Sequence, residues 1–143
     1  MSAREKKRSV LFICTHNSAR SQMAEGYLRA RYGDRFDAFS AGTTATLVHP
    51  SAVAVMEEIG IDISGQRSKT LMEFAGREMD LVVTVCDSAR GACPFFPWAK
   101  ETIHVPFPDP VGRDGESPIE VFREVRDAIT GWIDGYFGRG GTG

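Results

Sequence analysis

The chain has 143 residues, 42% of them hydrophobic and 25% charged, with a formal net charge of −2. That suits a single domain over residues 1–143, large enough to bury a core without staples, and argues against bulk attraction to nucleic acid or anionic membranes. No apolar run approaches the roughly 20 residues of a membrane span, and the basic stretch Met1 to Ser9 precedes only four apolar residues, too few for a signal peptide, so the expected compartment is the cytoplasm.

After a short tail, Val10 to Ile13 reads as a buried parallel strand, apolar on both faces. It ends at Cys14. A tight loop follows, and a helical pattern starts at Ser21, with Met23, Tyr27, Leu28 and Ala30 or Arg31 at three- and four-residue steps. Gly33-Asp34 stops that helix. Phe36 to Ala41 is the second strand, ended by Gly42. Pro50 opens a helix whose apolar side is Ala52, Val53, Val55, Met56 and Ile59, with Gly60 as its C-cap. Ile61 to Lys69 is a loop and Leu71 to Ala75 a short helix. Leu81 to Val85 is the clearest strand, rich in β-branched residues.

Cys86 to Lys100 contains Gly91, Pro94 and Pro97 and reads as a long loop, with room for one helical turn at Asp87 to Ala92. Its aromatic residues Phe95, Phe96 and Trp98 suggest loop packing, with a docking face as the sharper alternative. Thr102 to Val105 is a fourth strand. Pro106 to Pro110 forces an extended connector around Asp109. Ser117-Pro118 starts the last helix, with Ser117 as N-cap and Glu120 completing a capping box. Val121, Phe122, Val125, Ile129, Trp132, Ile133 and Tyr136 form its apolar side. Residues 1–8 and 138–143 read as flexible tails. Alternating strands and helices predict a four-stranded parallel α/β sheet with helices on both faces. In such sheets ligands bind at the carboxyl ends of strands, where Cys14, Cys86 and the Asp109 connector all fall.

Three cysteines, Cys14, Cys86 and Cys93, do not make a structural disulfide framework, and they are too few for a four-thiolate zinc site. No metal site is expected. Cys14 closes a strand before a helix N-terminus, whose unpaired N–H groups bind oxyanions and favour thiolate over thiol. Thr15, His16, Asn17, Ser18, Ala19 and Arg20 would surround the anion. The Arg20 guanidinium suits a tetrahedral oxyanion through two parallel hydrogen bonds. Ser21 could hydrogen-bond the sulfur, and Asn17 could hold the loop's shape. Asp109, between two prolines, is the candidate general acid; the plainer alternative is a turn aspartate. His16 suits a supporting or surface role, and His49 and His104 carry no signal. Arg67 and Lys69 are either a solvated face or a source of positive charge near the site.

Cys86 and Cys93 suggest thiol–disulfide exchange. Their spacing exceeds a Cys-x-x-Cys motif. In a fixed helix the sulfurs would lie two turns, roughly 10 Å, apart, whereas a disulfide needs Cα atoms within about 7 Å. The segment must then be non-helical or unwind.

Cys14-x5-Arg20-Ser21 after a strand, with Asp109-Pro110 late in the chain, resembles the low-molecular-weight protein tyrosine phosphatase fold. Cys14 to Ser21 followed by Gln22-Met23-Ala24-Glu25, then Ser40-Ala41-Gly42, Val83-Thr84-Val85-Cys86-Asp87 and Cys93-Pro94, is more specifically similar to the thioredoxin-coupled arsenate reductases of that family. The resemblance covers about Val10 to Tyr136. It implies that Cys14 attacks arsenate held by Arg20 and the loop amides, while protonated Asp109 helps water leave. Cys86 then attacks Cys14 and releases arsenite, and Cys93 attacks Cys86, moving the disulfide outward. Thioredoxin, an external reductant rather than a bound cofactor, reduces it. A monomer with weak residual phosphatase activity is expected.

Ala19 stands where some members have a fourth cysteine. Some members bind a potassium ion beside the loop, with an aspartate at the position of Lys69, and a lysine cannot ligate a cation. Its ammonium could instead supply the charge. A tyrosine phosphatase of the same fold is the main alternative, although such phosphatases typically carry tandem tyrosines where this chain has cysteines. A non-catalytic oxyanion-binding or redox-sensing module is the other.

Overall fold

The computed structural model describes residues 7–86, 95–111 and 118–138. The helical turn expected at Asp87 to Ala92, Cys93 and the N-cap Ser117 lie outside them. Four strands, β1 (Arg8–Cys14), β2 (Phe36–Gly42), β3 (Leu81–Thr84) and β4 (Thr102–His104), form one parallel sheet in the order β2-β1-β3-β4. The α-helices are α1 (Arg20–Tyr32), α2 (Pro50–Glu57) and α3 (Ile119–Phe137), with a 3-10 helix at Leu71–Phe74. No described helix is long and apolar enough to cross a membrane.

β1 lies between β2 and β3, so both its edges are paired, and with a cluster on each face Leu11, Phe12 and Ile13 are fully buried. Their alternation divides the core. Val10, Phe12 and Cys14 face the cluster built with α1, α2 and α3. Leu11 and Ile13 face a smaller cluster with Phe74, Met79 and Phe96. Helical segments thus cover both faces unequally, three α-helices on one and the 3-10 helix on the other.

The strand starts earlier than its apolar run. Arg8, expected in the flexible tail, pairs with Phe36, and its N–H donates to Arg35 O at 3.2 Å. Ser9 is anchored by Asp80, whose Oδ2 accepts the Ser9 N–H at 2.8 Å. Polar residues can extend a strand when its backbone groups are paired, which an apolar pattern does not register.

α1 is buried on nearly all sides from Arg20 to Leu28, and beyond Leu28 its exposed residues include Ala30 and Arg31, which were expected on the apolar side. α2 ends at Glu57 with Glu58 as its C-cap, two residues before the expected Gly60, which closes the turn that follows. Gly60 has φ +83°, its N–H donates to Glu57 O, and the Ile61 N–H donates to Met56 O. These are the two bonds of a glycine-terminated helix end, a position that favours a residue without Cβ. On α3, Phe122, Val125, Ile129 and Ile133 are buried as expected. Tyr136 is exposed, and Phe137 is buried in its place, edge-on to Phe36 at 4.9 Å. Pro118 occupies the α3 cap position, one residue later than expected. Its carbonyl accepts from Val121 and Phe122.

α2 is clamped to α3 at its far end. Glu58 accepts from Arg123 Nη2 at 2.8 Å and from Arg126 Nη1 at 2.7 Å, and Arg126 Nη1 also donates to Val55 O at 2.9 Å. The Arg123 hydrogen bonds, then those of Arg126, hold the Glu58 carboxyl down at about 2 from its usual 4.5. A carboxylate depressed in the folded state stabilises above its unfolded value, and that contribution fades as pH falls through the folded value. The stability advantage of the wild type over Glu58→Gln should therefore be full above pH 4.5 and shrink steadily toward pH 2. Urea midpoints measured across that range check this, and a pH-independent difference would contradict it.

Candidate active site

β1 delivers Cys14 to the carboxyl edge of the sheet, opposite Gly42 on β2. Residues 15–19 then turn the chain into α1. Ala19 has no side-chain oxygen to cap the helix, so the α1 terminus keeps its donors for a ligand. The loop carbonyls are tied one by one to surrounding groups. Thr15 O accepts from Thr44 N–H at 3.1 Å, and His16 O from Ser68 Oγ at 3.1 Å. Asn17 O accepts from Gln22 Nε2 at 3.1 Å, and Ser18 O from His49 N–H at 3.0 Å. A trans peptide points its N–H opposite to its C=O. With four carbonyls drawn outward, the amides of residues 16–19 are turned to the inner side. This is a nest of donors built for an anion.

Asn17 is the organiser of that loop. It is fully buried and takes φ +50°, a region that asparagine tolerates. Its Nδ2 donates to Ser21 Oγ at 2.8 Å and to Ser40 Oγ at 3.0 Å. Its Oδ1 accepts from Gln22 Nε2 at 2.8 Å and from Lys69 N–H at 2.7 Å. Ser21 Oγ in turn lies 2.9 Å from Cys14 Sγ. Gly42 leaves the space. A Cβ there would fall 2.6 Å from Thr15 O and 2.8 Å from Asn17 N and Cys14 O.

Arg20 is buried and aimed by two contacts. Nη1 donates to Phe107 O at 3.2 Å, and Nη2 lies 3.6 Å from Asp109 Oδ2. Asp109 remains half exposed, and its Oδ1 accepts the Val111 N–H at 3.0 Å. Cys14, Arg20, Ser21 and Asp109 therefore converge, although the last lies far along the chain. His16 is exposed at the loop surface.

Cys86 follows β3. Ile13 pairs with Thr84, and Val85 N–H donates to Ile13 O at 2.8 Å, so Cys86 lies one residue past the position level with Cys14. Parallel strands about 4.8 Å apart with a rise of about 3.3 Å put such Cα atoms on the order of 6 Å apart, within disulfide reach. Both cysteines belong to the same buried cluster on the helix-covered face. Cys14 is a free thiol and Cys86 is disulfide-bonded.

Lys69 is buried against the loop. Its Nζ donates to Arg67 O at 2.9 Å and lies 3.5 Å from Ser40 Oγ and 3.7 Å from Glu25 Oε1. Glu25 also accepts from Ser40 Oγ and Arg29 Nη2. Burial pushes the Lys69 ammonium toward an earlier loss of its proton, and the Glu25 carboxylate opposes this. A tethered cation thus fills the oxygen-lined space beside the loop, which does not fit a potassium ion as well. His49, without signal in the sequence, adjoins the loop through its bond to Ser18. Its position before Pro50 was the available clue, since the residue before a helical proline is where an N-cap falls.

Residues 9–138 match the description of the low molecular weight phosphotyrosine protein phosphatase family. The chain belongs to that family. Among its relatives, the arsenate reductase of Halalkalibacterium halodurans is 48% identical over 125 residues, covering 86% of this chain and 90% of that protein. Arsenate reductase 2 of Staphylococcus epidermidis is 40% identical over 130 residues, covering 91% and 96%. Among solved structures, an arsenate reductase in the phosphate-binding state superposes with a TM-score of 0.77 at 34% identity, covering 92% of this chain and 98% of that one. The low molecular weight protein tyrosine phosphatase of T. tengcongensis gives 0.73 at 30% identity, covering 93% and 99%. This member of the phosphatase family thus shares its four-stranded parallel sheet with reductases and phosphatases alike.

Asn17→Ala should strand the buried Lys69 N–H and take away the donor that serves Ser21 Oγ and Ser40 Oγ, and cost about 3 kcal/mol, since each unsatisfied buried group costs roughly 1–3 kcal/mol; urea unfolding measures it, and a loss below about 1 kcal/mol would remove Asn17 from the organising role. Potassium should raise neither oxyanion affinity nor thermal stability beyond a sodium control. Lys69→Met should lower the affinity in both salts, by isothermal titration with phosphate.

Proposed function

We propose that the protein reduces arsenate to arsenite through an arseno-cysteine and an intramolecular disulfide relay, for arsenic detoxification. The observation that carries this reading is the placement of Cys14 at the end of β1 and Cys86 just past the end of the neighbouring β3, one residue out of level and in one buried cluster. It is supported by 48% identity to a relative named arsenate reductase and by likeness to a phosphate-bound arsenate reductase.

Arsenate sits among the inward amides of residues 16–19, with the Arg20 guanidinium gripping two of its oxygens. Cys14 Sγ, steadied by Ser21 Oγ, attacks arsenic. Asp109, beside Arg20, gives a proton to the departing oxygen, which leaves as water. A phosphoryl-cysteine can only be hydrolysed, because phosphorus does not accept the electron pair. An arseno-cysteine can be reduced. Cys86 attacks Cys14 Sγ, the S–As electron pair moves onto arsenic, and arsenite leaves from a Cys14–Cys86 disulfide. Cys93 then attacks Cys86 and frees the Cys14 thiolate. An external dithiol protein, thioredoxin, reduces the Cys86–Cys93 bond. No bound cofactor takes part. The protein acts as a cytoplasmic monomer.

A phosphatase of the same family is the second reading, favoured by the family match itself and by the T. tengcongensis likeness. Cys14, Arg20 and Asp109 would serve both, so aryl phosphate hydrolysis does not discriminate. Coupling the protein to thioredoxin, thioredoxin reductase and NADPH does. Arsenate-dependent NADPH loss is expected in the wild type, with loss of at least a hundredfold in Cys14→Ser, Cys86→Ser and Cys93→Ser, since each removes a nucleophile from a chain of obligatory steps. No turnover by the wild type there, or with a glutathione- or mycothiol-type system, would overturn the reductase reading.

A further inference from the structure

His49 joins four parts of the site. Its backbone N–H donates to Ser18 O of the anion loop at 3.0 Å. Its carbonyl accepts from Ala52 and Val53, and its Nδ1 accepts the Ser51 N–H at 3.0 Å, which caps α2. Its ring lies against Phe122 of α3, with centroids 4.8 Å apart and an interplanar angle of 36°. From the Phe107–Val111 connector, the charged group that acts on it is Asp109, the partner of Arg20. The loop offers Ser18, α2 offers Ser51, and α3 offers Phe122. None of these three carries a charge.

A nitrogen that accepts a hydrogen bond carries no proton. With Nδ1 facing the Ser51 N–H, the neutral ring holds its hydrogen on Nε2. Protonation would add a hydrogen at Nδ1 and set donor against donor, so the cap would break. The same event would put a cation within reach of Asp109, a group whose proposed task is to release a proton. Burial pushes His49 protonation to lower pH, and Asp109 pulls it back up. The neutral ring is thus the working form near pH 7.

We propose that His49 is a positioning residue for the reaction: its neutral imidazole caps α2 and so steadies the backbone N–H that holds Ser18 O, and protonation of the ring breaks the cap, loosens the anion loop and disables the site on the acid side. The proposal rests on the reading of Cys14, Arg20 and Asp109 given above. It concerns how the loop is held rather than which oxyanion reacts.

The test separates the two. The first readout is independent of turnover. NMR of the wild type follows the His49 ring nitrogens and the Ser51 amide exchange rate from pH 8 to 5. The Ser51 amide should lose about fivefold in protection as His49 titrates, the factor expected for losing one N-cap. The midpoint should lie below the ordinary 6.5 and fall further in Asp109→Asn. The second readout is the pH profile of Cys14-dependent aryl phosphate hydrolysis and of arsenate reduction. His49→Ala, without a cap, should be about fivefold slower at neutral pH. His49→Asn, whose amide oxygen caps but does not titrate, should recover most of that loss and flatten the acid limb. A Ser51 amide indifferent to His49 titration, or a His49→Asn profile that superimposes on the wild type, would overturn the proposal. Failure of arsenate turnover alone would overturn the reductase reading and leave the amide measurement to decide the role of His49.

Discussion

Five residues between a buried strand and a buried helix hold the rest of the molecule to account. The carbonyls of the first four are each drawn outward by a different neighbour, namely Thr44, Ser68, Gln22 and His49. Left alone, a loop of this length would satisfy its own backbone in a turn and bury its donors. Here the donors stay on the inner side, because the acceptors are occupied outside. The free energy of an anion site is thus spread over the β2 exit, the segment before the 3-10 helix, α1 and the entry to α2. Each of those contacts is small, about 1 kcal/mol, and their sum sets the loop's shape before any ligand arrives.

The sheet supplies the second coordinate. Strand pairing fixes Cys14 beside the exit of β3, so two thiol positions sit side by side without a loop having to find them. Arg20 is fixed from the opposite direction, by the carbonyl of Phe107 and the carboxylate of Asp109. The proposed nucleophile is thus carried by a strand paired on both edges, and the proposed proton donor by a connector that contains three prolines. That division suits a reaction whose first bond must form in one geometry while the leaving oxygen departs into solvent.

Local chemistry was readable from the chain. Four apolar residues before a cysteine, an arginine directly after a five-residue loop and a glycine in the turn after α2 each act within one turn of themselves. Asn17 could be suspected because asparagine tolerates the left-handed turn. What escaped was contact between distant segments. Arg8 belongs to β1 through pairing with Phe36, Phe137 displaces Tyr136 from the core by meeting Phe36, and Glu58 binds two arginines more than sixty residues away. The charge of Lys69 could be weighed in the sequence, but its burial against Glu25 and Ser40 could not. His49 carries no signal in the sequence, because one histidine before a proline has no period and no partner motif.

Gly42 gives the fold an identity test that its signature lacks. It lies twenty-eight positions beyond Cys14 in sequence and directly across from it in the sheet, where three backbone atoms of the loop leave no room for a side chain. A relative that keeps every residue from Cys14 to Ser21 but carries alanine at this position would satisfy a search for the cysteine–arginine signature and still have its loop prised open. The reverse also holds: a chain in which the glycine survives beside a replaced cysteine would retain the cradle and could serve as an anion receptor without chemistry. One hydrogen atom on a neighbouring strand therefore separates a chain that looks like an enzyme from one that can be built as one.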